Sequence, residues 1–256
     1  MVEVFREVRR TLTDDGTLWL NVGDSYAGAR SGAQGAGGQM ADRSVAKSRC
    51  REVGITRVAD GCKPKDLVGI PWMLAFALRA DGWYLRSDTI WHKPNPMPES
   101  VQDRPTKAHE YVFLLSKSAS YYYDAEAIAE RATSEGPRVD KEHLVIVGDP
   151  RDAGVYHGRC GQPEDGNRNA RSVWTIASQP FAGAHFATMP PKLAERCILA
   201  GSRIGDEVLD PFLGSGTVGM VAEALGRRWH GVELNPKYEE IIRQRTAQQG
   251  LFGRTP

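Results

Sequence analysis

Two carboxylates bracket a glycine turn near the C-terminus, at a spacing suited to a nucleotide-like ligand. Residues 207–235 read EVLDPFLGSGTVGMVAEALGRRWHGVELN. Asp210 precedes the turn. Glu233 lies roughly twenty residues beyond it, where a carboxylate can accept hydrogen bonds from both hydroxyls of a ribose. Gly214 and Gly216 have no side chain, so a ligand can approach the backbone and the chain can take positive φ. Ser215 and Thr217 can offer hydroxyls to the ligand or cap a following helix. Alone, this suits either NAD or S-adenosyl-L-methionine (SAM). Asp210 separates the two, because an acid before the turn repels a pyrophosphate and suits the cationic methionine end of SAM. For that reason the spacing GSGTVG, which ends at Gly219, is not read as a dinucleotide fingerprint. The bland alternative is an ordinary glycine turn, in which acid, turn and second acid coincide without a ligand.

The elements that position these groups follow from the same stretch. A short apolar strand at 208–209 ends in Asp210, and the turn spans 211–216. A helix is expected at 217–225 and a second strand at 229–234, closed by Asn235. Strand, turn, helix and strand make half of a doubly wound α/β fold.

The residues also carry a resemblance. DPFLGSGT followed by GVELN resembles the SAM-binding motif of DNA amino-methyltransferases, which methylate N6 of adenine or N4 of cytosine. Residues 90–118, IWHKPNPMPESVQDRPTKAHEYVFLLSKS, are similar to another segment of that family. So are residues 186–200, FATMPPKLAERCILA, which in the family precede the SAM motif and help enclose the cofactor. The resemblance covers nearly the whole chain except about 126–178. It implies a SAM-methyltransferase (Rossmann-like) sheet, with the catalytic half before the cofactor half, and double-stranded DNA as partner. It assigns SAM contacts to Asp210, Phe212, Gly214, Ser215, Gly216, Thr217, Glu233 and Asn235, helped by Phe186 and Thr188. Asp210 would lie near the methionine ammonium, Glu233 on the ribose, and Phe212 beside the methionine or adenosine.

Composition sets bounds. At 256 residues the chain can bury a full core, as one α/β domain with or without an insertion. Its 33 basic and 32 acidic residues nearly cancel, so any DNA-facing surface must come from local clustering. No apolar run is long enough for a membrane span and the N-terminus lacks a signal-type apolar region, so a cytoplasmic chain is expected. Cys50, Cys62, Cys160 and Cys197 form no C-x-x-C pair. Free thiols are expected; a zinc site from Cys50, Cys62, His157 and Cys160 matches no common template.

Along the chain, residues 2–12 have the apolar period of an amphipathic helix, and 17–22 (TLWLNV) read as a strand. Asn21 and Asp24 follow at a strand end, where they either touch cofactor or target base or simply cap a turn. Residues 29–65 form a long basic, glycine-rich loop, expected to be mobile when free and to order on DNA phosphate. A helix is expected at 66–79 with Asp66 as N-cap, strands at 83–91 and 111–116, and a stiff proline loop at 92–104. That loop carries Lys93, Asn95 and Arg104 as candidate DNA contacts. Tyr121, Tyr122 and Tyr123 read as strand and packing surface. Within the polar segment 125–178, Arg151, His157, Arg159, Arg168, Asn169 and Arg171 suit phosphate and base-edge contacts. In the family the corresponding region is variable and recognises the DNA sequence. A helix at 188–199, opened by Thr188, and a closing helix at 236–248 complete the chain. The implied organisation is a catalytic-half remainder (1–124), a variable insertion (125–180) and a SAM-binding half (181–256).

One expected element has no counterpart. The family's catalytic strand ends in Asp, Asn or Ser followed by Pro-Pro-Tyr or a close variant, and no such tetrapeptide occurs. Pro190-Pro191 is followed by Lys192, and Asn95-Pro96 by Met97-Pro98. In the family's order that strand, and the outer neighbour of the GVELN strand, precede the helix at Met1. The sheet is therefore expected to lack its central strand between the DPFLG and TLWLN strands, with a truncated product or a late start site as the reason. The flanking strands would then pair directly, leave a cleft, or receive the piece from a separate chain. A non-catalytic SAM- or DNA-binding remnant, or one subunit of a split methyltransferase, shares all these motifs. A nicotinamide oxidoreductase is the remaining alternative, and the acid before the turn argues against it.

Overall fold

The computed structural model describes residues 1–27, 61–131, 167–179 and 188–250. Helix α1 (Val2–Thr11) leads into β1 (Thr17–Val22). Helix α2 (Ile70–Ala80), β2 (Tyr84–His92) and β3 (His109–Ser116) follow. A small ribbon of β4 (Glu130–Arg131) and β5 (Asn167–Arg168) precedes β6 (Val173–Thr175). Helix α3 (Pro191–Gly201), β7 (Glu207–Asp210), α4 (Thr217–Ala224) and β8 (Arg228–Gly231) form a C-terminal unit. A 3-10 turn (Pro236–Tyr238) and α5 (Glu239–Gly250) close it.

Four strands form one sheet in the order β1-β3-β2-β6, with β3 antiparallel to both neighbours and β6 parallel to β2. Strand β3 is buried on both faces, as its composition predicts. Phe113 and Leu115 join Phe5, Val8, Ala75 and Leu78 under α1 and α2. Val112 joins Trp91, Trp174 and Leu193 in a second cluster under α3. Strands β7 and β8 pair in parallel as a separate sheet.

Among the described residues β1 pairs only with β3 and β7 only with β8, so the two strands expected to flank a central strand do not pair with each other. The cleft stays open along two strand edges.

Three local expectations are corrected. Helix α2 starts at Ile70, not at 66, and Asp66 is not its N-cap. The cap is Gly69, in the left-handed region, and Asp24 Oδ1 accepts from Gly69 N and Ile70 N, both at 3.0 Å. A carboxylate 45 residues upstream does what sequence spacing gave to a neighbour. The three tyrosines form no strand, but they do pack: Tyr123 stacks on Trp19 and Tyr122 lies under Arg203. Residues 173–175, expected within the variable insertion, pair with β2 in the main sheet, and Trp174 and the adjoining Ile176 are buried.

Candidate functional site

The glycine turn has the geometry its sequence requires. Gly214 (φ 54°) and Gly216 (φ 81°) are both left-handed, which glycine adopts without a Cβ clash. A side chain on Gly214 would meet only Phe212 O, at 3.9 Å, so the turn's outer side is open to a ligand. Glu233 returns to this turn from the end of β8. Its Oε2 accepts from Gly214 N and its Oε1 from Asn235 N, each at 2.8 Å. Asp210 Oδ1 accepts from Phe212 N at 2.9 Å. Burial pushes the Asp210 carboxyl above the usual carboxylate range; the Phe212 N–H opposes this and the Glu233 charge adds to it. An arriving cation would favour the ionised form, so the site fits a positively charged ligand group.

The hydroxyls do not cap the helix. The N-cap of α4 is Gly216, and neither Ser215 nor Thr217 caps it. Both are buried, and each accepts from Arg245 Nη1, at 2.6 and 3.0 Å. Asn235 Oδ1 accepts from Lys237 N at 3.1 Å, which caps the 3-10 turn. Phe212 is half exposed, its ring centroid 6.2 Å from that of Phe5 on α1.

Two glycines matter for packing. A Cβ on Gly219 would sit 2.8 Å from the Trp229 ring, so Gly219, given no weight in the sequence reading, is the close helix–strand contact of α4 on β8. A Cβ on Gly231 would sit 2.5 Å from Leu213, which seats the turn against β8. Neither contact follows from local spacing, because each partner comes from another element.

A cavity of about 870 Å³ lies between the two sheets. It is lined by β1 residues including Trp19 and Asn21, by Thr188 before α3, and by Asp210, Phe212 and Ser215 of the turn. It thus joins the open edges of β1 and β7 to the inner side of the candidate cofactor site. Thr188 is not the start of a helix, since α3 begins at Pro191. Asp24 is engaged elsewhere: besides capping α2, its Oδ1 accepts from Ser25 N. Asn21 donates to Glu110 Oε2 at 3.1 Å and to Tyr111 O at 3.0 Å.

Among the described residues, Lys93, Asn95, Arg104, Arg168 and Arg171 are dispersed and have partners within the protein. Lys93 pairs with Glu110 and lies over the Trp91 ring. Asn95 exchanges two hydrogen bonds with the Ser178 backbone, at 3.0 and 3.2 Å. Arg104 pairs with Glu99 and stacks on Tyr26, with 3.9 Å to the ring centroid. Arg168 and Arg171 approach Glu130 at 3.8 and 2.9 Å. Phe186, Arg151, His157 and Arg159 lie outside the described residues, as do loop residues 29–60, Cys50 and Cys160. Among the described residues no helix is long and apolar enough to cross a membrane.

The layout defines a class: an α/β protein with a crevice at the ends of parallel strands whose groups suit a ribose-bearing, cationic ligand. Comparison with known proteins narrows it. The family model described as DNA methylase, for N6 and N4 methyltransferases, matches residues 1–244, and the chain belongs to this family. The family is that of DNA methylases of the N6 and N4 type, whose targets are exocyclic amino groups. The Type II methyltransferase M.SmaI of Serratia marcescens is 47% identical over 96% of this chain and 72% of its own length. M.Cfr9I of Citrobacter freundii is 46% identical over 94% of this chain and 68% of its own. The fold is shared with the cytosine-N4-specific PvuII DNA methyltransferase (TM-score 0.59, 19% identity, 95% of this chain and 70% of that one). A Thermus thermophilus protein described as a DNA modification methylase, solved with SAM, has TM-score 0.57 at 24% identity, covering 97% of this chain and 75% of its own.

Proposed function

We propose that this chain is the SAM-binding and DNA-facing body of a cytoplasmic, site-specific methyltransferase of double-stranded DNA, acting on N6 of adenine or N4 of cytosine. The observation that carries this reading is the acid–turn–acid crevice opening beside the cavity at the β1 and β7 edges. Asp210 takes the methionine ammonium. Glu233 exchanges its backbone donors for the two ribose hydroxyls. Phe212 covers the methionine or adenosine, with Phe186 and Thr188 enclosing the far side. Asn21 faces the cofactor or the target base from β1.

SAM supplies the methyl group: the amino nitrogen bonds to the methyl carbon as the carbon–sulfur bond breaks, and the amine loses a proton. The protein's contribution is orientation and exclusion of water, because an exocyclic amine needs in-line placement more than a strong base. The polar groups that would hold the amine belong to an extended segment ending in a polar residue and Pro-Pro-aromatic. We propose that such a segment, from upstream sequence or a separate chain, fills the cleft and pairs with the free edges of β1 and β7. Strand edges of β1 and β7 that are unpaired among the described residues favour an added strand.

Lys93, Asn95, Arg104 and Arg168 are proposed to face DNA, together with Arg151 and Arg159 of segment 125–180, which reads the target sequence. Their existing partners would be exchanged for phosphate or retained to aim them. The Type II relatives point to a restriction–modification setting.

The test is transfer of tritiated methyl from SAM to duplex DNA, with SAM binding measured in parallel by calorimetry. The chain alone is expected to bind SAM and to transfer little or no methyl. Adding the extended segment, fused or as a peptide, is expected to bring transfer. Robust transfer by the 256-residue chain alone would refute the need for the segment, and binding of NAD in preference to SAM would refute the cofactor assignment.

A further inference from the structure

We propose that Arg245 is a positioning residue of the cofactor site: from α5 it pre-forms the glycine turn that receives the methionine end of SAM. This rests on the cofactor reading above. Arg245 Nη1 converges on three acceptors of one turn: Ser215 Oγ at 2.6 Å, Thr217 Oγ1 at 3.0 Å and Ser215 O at 3.1 Å. The residue stands 30 positions after Ser215, on a different helix, and no motif of the turn includes it.

The contacts have two consequences. The first is rigidity. The Ser215–Gly216 peptide is held at both ends, its carbonyl by Arg245 and its Gly216 N–H by Leu213 O at 2.9 Å. The flanking glycines are the least conformationally restricted residues in the turn, and a turn built on two of them is ordered only at an entropic cost. Arg245 meets that cost within the folded protein, before ligand arrives, and so raises affinity. The second is polarity. A hydroxyl that accepts from a guanidinium keeps its own hydrogen to donate. Ser215 and Thr217 line the cavity. Their O–H groups, turned away from Arg245, can donate to a carboxylate there. The ligand chemistry this selects is the α-carboxylate of the amino-acid end, and not the adenosine.

The experiment measures binding of SAM and of 5′-methylthioadenosine, which lacks the amino-acid end, to the full chain by calorimetry. Arg245→Met is expected to weaken SAM binding about tenfold, as expected for losing a charge-assisted contact set. It should leave methylthioadenosine within about twofold, on the same affinity scale. Arg245→Lys should recover part of the loss. The double variant Ser215→Ala/Thr217→Val removes the side-chain acceptors and keeps the arginine. It should lose a similar factor, and combining it with Arg245→Met should add little. This variant also serves if Arg245→Met fails to fold. Equal losses for both ligands, additive losses, or unchanged SAM affinity would overturn the role of Arg245 while leaving the cofactor reading intact. Failure of the unaltered chain to bind SAM would sink both.

Discussion

The β7–α4–β8 unit and the four-stranded sheet solve the problem of placing polar groups in opposite ways. In the first, Asp210, the glycine turn and Glu233 lie within one short stretch and meet through hydrogen bonds of 2.8–2.9 Å. In the second, Lys93, Asn95 and Arg104, on the loop between β2 and β3, are held by tertiary contacts: Lys93 pairs with Glu110 on β3, Asn95 binds Ser178, 83 residues away, and Arg104 stacks on Tyr26. A compact β–turn–α–β unit aims its residues by local backbone geometry, so spacing is informative. A mixed sheet aims them through register and loop docking, so residue type alone says little about the partner.

Four substitutions can break or sharpen this contrast. The largest effect is expected at Glu233. Glu233→Ala removes a carboxylate expected to accept from two ribose hydroxyls and should weaken SAM binding by about 100-fold, at about 1.5 kcal/mol per charge-assisted bond. Unchanged calorimetric affinity would move the ribose elsewhere. Next is Gly219→Val, whose side chain must enter the Trp229 ring. Overpacking of this kind costs about 2–3 kcal/mol, read as a lower thermal midpoint. A neutral result would mean that α4 is free to lift from β8.

Asp210→Asn should weaken SAM binding about tenfold by removing one charge pair, while raising the stability of the ligand-free protein at neutral pH. The sign follows from burial. A carboxyl whose folded pKa is raised holds its proton more tightly than in the unfolded chain. It favours the fold fully at pH below its unfolded value, and that contribution is lost as pH rises through the folded value. Binding of a cation runs the other way, strengthening as Asp210 ionises. Titrating SAM affinity against pH should therefore show a loss on the acid side, beginning above the ordinary carboxylate range, that the asparagine variant lacks. A pH profile identical in both proteins would detach Asp210 from the ligand.

The smallest effect is expected for Asn95→Ala, which removes two partly exposed hydrogen bonds to Ser178 and should cost about 1 kcal/mol of stability. SAM affinity should not change. A fall in DNA affinity with an unaltered thermal midpoint would show that Asn95 works on the DNA and not as a tie between loops.

The sequence alone determined the geometry of the β7–α4–β8 turn. Asp210, Gly214, Gly216 and Glu233 were legible because turn geometry, positive φ and the acid spacing are short-range consequences of residue type. It also exposed the absence of a Pro-Pro-aromatic tetrapeptide, since that is a statement about composition and order. Tertiary structure decided what local pattern could not carry. Asp24 caps a helix 45 residues away. Residues 173–175 join the main sheet. Gly219 is fixed by the bulk of Trp229, and Ser215 and Thr217 face a guanidinium from α5. It also decided that, among the described residues, β1 and β7 do not pair and instead line one cavity. Each of these depends on the packing of elements distant in sequence, where burial and hydrogen-bond satisfaction act between partners that no periodicity relates.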